Sequence, residues 1–277
     1  MNKKTLSIVG IIVVIVVAVV VFVATQNGHK ASTDPTSTAS ENKTLRFSDI
    51  ALSSKPTIWY QGYNSTTDDI TLTRKTDIRT IYVLQNGKIT TYGNVDTTID
   101  KINKMSDKSI IALAKKQNKE YFNDRAKEYL ASFDDKGNWM SNGETITQGH
   151  INTGKQNIKS AKYTMPKPKA INITAYNNGQ NKKPITEKFQ TTTTTLEGTG
   201  DAYGFDGTLH ITYSTTRDDS VELSSQSQYN NEVDGTKYNG YGLDFFTKVK
   251  SSKTMFALDT EKSKLIKHQK QSEGSAY

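Results

Sequence analysis

The sequence contains no cysteine in its 277 residues. Disulfide bonds and thiolate metal sites are therefore excluded. An anchor built on a lipid-modified N-terminal cysteine is excluded as well, because that anchor needs the thiol. Any membrane attachment has to come from another part of the chain, and any exported domain has to be stable without cross-links.

Histidine is also scarce, with four in the chain, and three follow the N-terminal region: His150, His210 and His268. No two of them have the H-x-x-x-H spacing of a metal site on a helix. His150 follows a glycine in a predicted loop, and His268 lies in a basic tail. His210 alternates with Leu209 and Ile211 in "TLHITY", which predicts that its side chain lies on the polar face of a strand. We therefore predict no metal and no cofactor.

Recognised catalytic motifs are missing too, since the chain has no G-x-S-x-G and no S-x-x-K with its companion motifs. Three pairs of aspartates lie in predicted turns, where such side chains bond to nearby backbone amides. The pairs are Asp68-Asp69, Asp134-Asp135 and Asp218-Asp219. These features favour a non-catalytic protein, while a site assembled only in three dimensions stays open.

What the chain does have is one long apolar run near its start, from Leu6 to Ala24. As a helix these residues would measure about 28 Å, close to the ~30 Å hydrocarbon core of a bilayer. The run is longer than the ~7–15 apolar residues of a signal peptide, and Phe22 is too bulky for cleavage after Ala24. We predict a retained transmembrane anchor over residues 6–25 in contact with the lipid bilayer. Secretion after signal cleavage is the alternative.

The charges beside this run predict its orientation. Lys3 and Lys4 precede it, whereas the far side begins with uncharged polar residues. The positive-inside rule then predicts a single-pass cell-membrane protein, with residues 1–5 in the cytoplasm and the C-terminal region outside the cell. Residues 26–44 are small and polar, which predicts a flexible tether.

Beyond Leu45 the chain is rich in Thr, Ser, Asn, Lys and Tyr, a composition that favours β-structure. Two alternating runs in "DIRTIYVLQNGKITTYG" are separated by Asn86-Gly87, and both residues tolerate the positive φ of a type I′ turn. This pattern predicts a β-hairpin. Preceding strands are predicted in "TLRFSDIALSS" and "KPTIWYQGY", and a returning strand in "ITLTRKT".

One main amphipathic helix is predicted to begin at Ser106-Asp107, with apolar residues at spacings of three and four. Its end is ambiguous, since "FDDKGNWM" fits either a glycine-terminated helix or a hairpin loop. We favour an end near Glu128. The chain after Gly149 is predicted to be almost entirely β, including "NIKSAKYTMPKPKAINITAY", a turn at "RDD" and a hairpin around 250–253.

The predicted fold class is α+β: an N-terminal transmembrane helix, a tether, and a mostly antiparallel β exported region with one main amphipathic helix. Residues 45–145 form an α+β module and residues 146–277 a β-rich module. The boundary between them stays open, because the two could form a single domain.

Three segments carry a resemblance to a known group of proteins. They are "IYVLQNGKITTYG", the helix after "KMSDKSI", and "FFTKVKSSKTMFALDTEKS". The outer region resembles uncharacterised exported surface proteins of Gram-positive lactic-acid bacteria. Many such proteins begin with a lipid-modified cysteine, which this chain lacks, so anchoring would depend on the apolar helix. The resemblance implies no activity.

The chain has a formal net charge of +8, and +6 remains when Lys3 and Lys4 are left out. This excess suits anionic wall polymers or phospholipid head groups. Nucleic acid is disfavoured because an exported domain rarely meets it. Trp59, Trp139 and Tyr241 could form a sugar-stacking platform that contacts a ligand, with core packing as the favoured alternative.

The sequence therefore predicts a membrane-anchored exported protein that acts by binding at the cell envelope. Two alternatives stay open: an accessory or immunity-type partner of another membrane protein, and an envelope hydrolase. A cleft that joined His150 or His210 to two acidic residues would favour the hydrolase.

Overall fold

A computed structural model describes residues 44–64, 71–133, 140–141, 144–145, 147–177, 183–203, 209–224 and 228–271. Every described residue belongs to one compact unit. The predicted anchor over 6–25 and the predicted tether as far as residue 43 lie outside the described residues. In the described part of the chain, no helix is both long enough and apolar enough to cross a membrane.

The described residues form a mixed, strand-rich α+β structure with few helices, which confirms the predicted class. The strands are β1 Thr44–Arg46, β2 Thr57–Tyr63, β3 Asp77–Gln85, β4 Lys88–Tyr92, β5 Thr97–Thr98, β6 Met140–Ser141, β7 Glu144–Thr145, β8 Lys169–Ala170, β9 Ile173–Asn177, β10 Thr186–Tyr203, β11 Leu209–Ser224, β12 Gln228–Val233, β13 Thr236–Tyr241, β14 Phe245–Val249, β15 Met255–Ala257 and β16 Ile266–Gln271. The helices are α1 Phe47–Ala51, α2 Ile99–Asn103, α3 Asp107–Ser132 and α4 Gln148–Ser160.

The largest sheet is antiparallel and has the order β12-β13-β14-β2-β3-β4-β8, with the short β5 paired to β3. The hairpin predicted at Asn86-Gly87 is confirmed, because Gln85 pairs with Lys88 across this two-residue turn. Asn86 and Gly87 have φ values of 53° and 71°, the left-handed values that a type I′ turn requires. This hairpin sets which side chains of β3 and β4 face each side of the sheet.

A second sheet has the order β11-β10-β9-β16. Its largest part is the hairpin of β10 and β11, with 18 and 16 residues. β16 runs parallel to β9. The short strand β1 also runs parallel to its partner, β15, near the C-terminal end of the described chain.

The first hydrophobic core lies between these two sheets. The central sheet contributes Tyr82 and Leu84, and the second sheet contributes Phe189, Val221 and Leu223. The core is unusually aromatic, and aromatic pairs stabilise a core beyond the area that they bury. Its aromatic members are Phe47, Trp59, Tyr82, Phe189, Tyr241, Phe245 and Phe256.

The second core lies on the opposite face of the central sheet. Ile81 and Tyr92 from the hairpin pack there with Ile102 of α2 and with Ile110 and Ala114 of α3. Because β2 and β3 are covered on both faces over part of their length, they carry the short apolar runs Ile58–Tyr60 and Ile81–Leu84. The central sheet is thus the middle layer of the fold.

Helix α3 begins where the sequence predicts, with the Ser106 side chain accepting a hydrogen bond from the Ser109 amide. It ends at Ser132 and not near Glu128, and Phe133 follows as its C-cap. The extra turn is stabilised by a third core, in which Phe133 and Phe122 pack with Ile158 of α4. This contact is not visible in the local sequence, which explains the error.

The second helix of this core, α4, was not predicted, and the β prediction for residues 157–160 is wrong. Thr147 caps α4 by accepting a hydrogen bond from the His150 amide. A Cβ on Gly154 would lie 2.5 Å from the Phe133 ring, so only glycine permits this close approach. Two features of the sequence could have predicted α4: Thr147 as a helix N-cap, and the four-residue spacing of Gly154 and Ile158 on one helix face.

Four further strand predictions need correction. Residues 47–51, in the predicted strand "TLRFSDIALSS", form helix α1. Residues 71–76, part of the predicted returning strand, lie outside any strand, and β3 begins at Asp77. The predicted turn at Asp218-Asp219 is part of the continuous strand β11. The segment around 250–253 does not join a hairpin, because β15 pairs with β1 and not with β14. At Asp218-Asp219 and at β15, pairing with a distant strand outweighs the local signal.

Candidate functional site

The side chains predicted to contact a ligand belong mostly to the first core. Trp59 is fully buried and stacks on Phe245 with ring centroids 4.4 Å apart. Tyr241 is 2% exposed, and its hydroxyl donates to the Ala257 carbonyl at 3.3 Å. Neither side chain offers a face to a ligand from solvent. Trp139 lies outside the described residues, so its role stays a prediction.

The three candidate histidines are not brought together. His150 lies in the first turn of α4 and not in a loop, and its Nδ1 is buried without a hydrogen-bond partner. His268 is exposed on β16. The backbone of His210 pairs with Ala202 in the long hairpin, and its side chain lies outside what the structure describes. Within the described residues, no group of three His, Asp or Glu side chains could hold a metal ion.

Asp218 is part of a surface chain of polar contacts. Lys169 Nζ donates to the Thr192 hydroxyl, which in turn donates to Asp218 Oδ1. Thr192 and the cation together lower the pKa of Asp218. Lys169 is 57% exposed and lies 3.7 Å from this carboxylate, and its ammonium group donates to the Thr192 hydroxyl and does not accept from it. The contact links β8 to the second sheet. It does not have the arrangement of a hydroxyl nucleophile that is activated by a general base.

The two aspartate pairs at 68–69 and 134–135 lie outside the described residues. Asp219, by contrast, is described and accepts a hydrogen bond from Arg217 Nε at 3.1 Å. Arg217 also forms an ion pair with Glu197 across the hairpin. These exposed charges stabilise the strand pairing only weakly.

A buried pair of carboxyl groups was not anticipated from the sequence. Glu187 on β10 is 0% exposed, and Asp259 after β15 is 2% exposed. The Asp259 amide donates to Glu187 Oε1, and the Ser48 amide and hydroxyl both donate to Asp259 Oδ1. The second oxygen of each carboxyl group, Oε2 and Oδ2, has no hydrogen-bond partner.

Burial is the main cause of the raised pKa values of Glu187 and Asp259. Desolvation, with a smaller contribution from the Asp259 charge, raises the pKa of Glu187 to about 8. The pKa of Asp259 is also raised, mainly by desolvation, although the hydrogen bonds from Ser48 oppose the shift. The pair is closed to solvent, so it could act on a substrate only if the fold opened. Its geometry therefore fits a pH-sensitive internal contact better than the hydrolase site left open above.

The charges of the chain are distributed very unevenly. Residues 145–186 contain seven lysines and no aspartate or glutamate, so this stretch carries +7 of the formal +8. Among its described lysines, those in α4 and in the extended segment before β8 include Lys159, Lys162 and Lys167, all exposed. The missing acidic residues were a signal available in the sequence. The total charge alone does not reveal it.

A surface groove of about 250 Å³ lies next to this basic stretch. It is lined by Val83, Gln85, Asn86, Lys88, Thr90 and Pro168. Val83 pairs with Thr90 and Gln85 with Lys88, so the four side chains share one face of the hairpin. Pro168, the residue before β8, closes one side.

Comparisons with known proteins give no assignment: no family model, no curated protein and no solved structure matches the chain.

Proposed function

We propose that this chain is a membrane-anchored exported protein that acts without catalysis, by binding an anionic polymer of the cell envelope. The observation that supports this proposal is the charge distribution. A stretch of 42 residues, 145–186, has seven lysines and no acidic residue, whereas the rest of the chain is nearly neutral.

A stretch of exposed lysines without acidic neighbours in the sequence is suited to binding a polymer of repeating anions. Exposed lysines contribute little individually, but several on one surface attract a polyanion together. Lys159, Lys162 and Lys167 are exposed on α4 and on the segment that follows it, and the described residues offer none of the three an acidic partner in an ion pair. Their charge is therefore available to a ligand.

The anchor over 6–25 and a tether that ends at residue 43, just before β1, would hold this surface outside the membrane. A tether of about 18 residues would have an end-to-end distance of roughly 21–25 Å as a flexible chain. Protease added to intact cells after wall removal should then digest the protein down to its N-terminal segment. Full protection of residues 45–277 would contradict the orientation.

Binding can be tested with the full chain in detergent and a phosphodiester polymer, by measuring affinity at several salt concentrations. Replacing Lys159, Lys162 and Lys167 together by Gln should weaken binding about tenfold or more at low salt and should flatten its salt dependence.

A matched control removes the same charge from another helix. Lys115, Lys116 and Lys119 are exposed on α3, and their replacement by Gln should weaken binding by less than about threefold. Equal losses in the two triple variants would mean that only net charge matters. Absence of binding by the unmodified protein would refute the proposal.

An accessory role beside another membrane protein is a separate hypothesis. Pull-down from detergent-solubilised membranes distinguishes the two, since a stoichiometric protein partner that resists high salt would favour the accessory role.

A further inference from the structure

We propose that the groove at the tip of the β3–β4 hairpin is a binding site for one phosphate-bearing polyol unit. This inference rests on the proposed function and names the place where a single repeat of the polymer would be held. It goes beyond a diffuse attraction between charges, because it assigns the contact to a shaped site on the sheet.

The groove exists because the helices cover only part of this sheet face. Ile81 and Tyr92, which pair across the hairpin, are buried in the second core. Val83 and Thr90 lie nearer the turn, on the same face of the hairpin as Ile81 and Tyr92. The helices do not cover them, and they line the groove. A volume of about 250 Å³ lies below the ~300–1,000 Å³ of typical ligand sites, so it suits one small unit and not a large sugar.

The chemistry of the lining matches a polyol phosphate. Lys88 is exposed and, within the described residues, forms no ion pair, so its ammonium group is available to a phosphate. Asn86 and Thr90 supply amide and hydroxyl groups for ligand hydroxyls. Gln85 offers its amide oxygen, because its Nε2 already donates to the Ser54 carbonyl at 2.7 Å. Val83 and Pro168 offer apolar surface to the carbon chain.

The electrostatic setting also favours an anion. The lining contains no aspartate or glutamate, and Pro168 belongs to the acid-free stretch, with Lys167 before it and Lys169 after it. Asp218 is already in contact with Lys169 and Thr192, so this carboxylate is neutralised by its own partners.

The turn that bears the groove is held firmly. The Asn86 amide donates to the Ser53 carbonyl at 2.8 Å and the Gly87 amide to the Ala51 carbonyl at 2.7 Å. On the other side, the Ile171 amide donates to the Gly87 carbonyl at 2.9 Å. A site whose backbone is fixed before binding loses less entropy when a ligand docks.

A polymer fits this concave site better than a membrane does. A bilayer surface would contact projecting lysines and could not enter a groove between Val83 and Pro168. Binding to vesicles should therefore depend on Lys159 and Lys162, whereas binding of a polyol phosphate should depend on Lys88.

The test uses the full chain in detergent with three probes: a short glycerol-phosphate oligomer, linear polyphosphate of equal charge, and vesicles with anionic lipid. Lys88→Gln should weaken binding of the oligomer by about five- to tenfold and of vesicles by less than about twofold. Lys88→Arg should retain oligomer binding. Lys270→Gln removes an exposed strand lysine elsewhere and should leave the affinity for the oligomer within about twofold.

Each result decides something. Equal oligomer affinities for Lys88→Gln and Lys270→Gln, with a loss in the Lys159, Lys162 and Lys167 triple variant, would overturn the groove and leave the proposed function standing. Polyphosphate that binds as tightly as the oligomer, and depends equally on Lys88, would overturn the polyol assignment. If the unmodified protein binds no probe, both the groove and the proposed function fail.

Discussion

Two buried polar centres of this fold differ in how completely they are hydrogen-bonded. On α3, the fully buried Asn118 donates through Nδ2 to the Gly93 and Thr194 carbonyls at 3.0 and 2.9 Å. Its Oδ1 accepts a hydrogen bond from the Tyr163 hydroxyl at 3.1 Å. In the pair of Glu187 and Asp259, one oxygen of each carboxyl group has no hydrogen-bond partner.

The difference predicts different roles. A neutral amide with its donors and acceptor paired stabilises the fold at any moderate pH and fixes how α3 sits against both sheets. A buried acid pair with unpaired oxygens is more stable while protons are bound, because ionisation would place an unsatisfied charge in the core. The first centre is structural, and the second makes stability depend on pH.

The largest expected effect is the pH dependence of the free energy of unfolding. The pKa of Glu187 rises from 4.5 in the unfolded chain to about 8 in the folded protein. Between these values the unfolded chain loses the proton while the folded chain keeps it, so the contribution of Glu187 to stability is fully present below pH 4.5 and is lost as the pH rises to about 8. The loss should be a few kcal/mol, with an upper limit of about 5 kcal/mol.

Denaturant unfolding at pH 5 and pH 8.5 measures this loss. Glu187→Gln, which cannot ionise, should remove most of the pH dependence and should be more stable than the unmodified protein at pH 8.5. An unchanged slope in this variant would mean that other groups cause the pH dependence.

Asn118→Ala should have the next largest effect. It leaves two buried carbonyls and the Tyr163 hydroxyl without their partner, at a cost of about 2–4 kcal/mol. The loss should be the same at pH 5 and pH 8.5. Asn123→Ala, an exposed position in the same helix, is the matched control and should change thermal stability by less than about 0.5 kcal/mol.

Ser48→Ala should cost about 1–2 kcal/mol, and the cost should increase with pH as Asp259 ionises. The hydroxyl of Ser48 donates to Asp259 and opposes the rise of that carboxyl group's pKa. Without this donor the ionised form of Asp259 becomes less favourable. A loss that did not depend on pH would contradict this role of the serine, and unfolding curves at the two pH values provide the measurement.

The smallest effect is expected for Tyr163→Phe, which removes only the donor to Asn118 Oδ1 and keeps the ring beside Phe122. We expect a loss of about 0.5–1.5 kcal/mol with no pH dependence. A double-mutant cycle with Asn118→Ala should give a coupling energy, and strict additivity would show that the hydroxyl and the amide do not interact.

Local patterns predicted the local features of this fold. The hairpin at Asn86-Gly87 and the start of α3 at Ser106 depend on a few neighbouring residues, and both are confirmed. The end of α3 and the strand pairing of β15 depend on contacts far apart in the sequence, and these predictions failed. The same reason explains Asp218-Asp219, whose turn-forming tendency is overcome by pairing along β10.

The buried acid pair could have been predicted only in part. Glu187 and Phe189 alternate in "ITEKFQ", so an inward Phe189 implies an inward Glu187. Nothing local links Glu187 to Asp259, which is 72 residues away along the chain. The groove combines β3, β4 and Pro168, and sequence patterns give no account of a concave surface that separate segments form together.

The parallel pairing of β1 with β15 has a mechanical consequence. If the chain is tethered as we propose, any pull from the membrane enters the folded region at Thr44, the first residue of β1. Thr44, Leu45 and Arg46 are each paired with a residue of β15, so a load along the strand is shared by the whole short ladder and is not concentrated on one end. Directly behind it, Ser48 is hydrogen-bonded to Asp259. The contact of Ser48 with Asp259 should therefore add to the resistance of the protein to stretching.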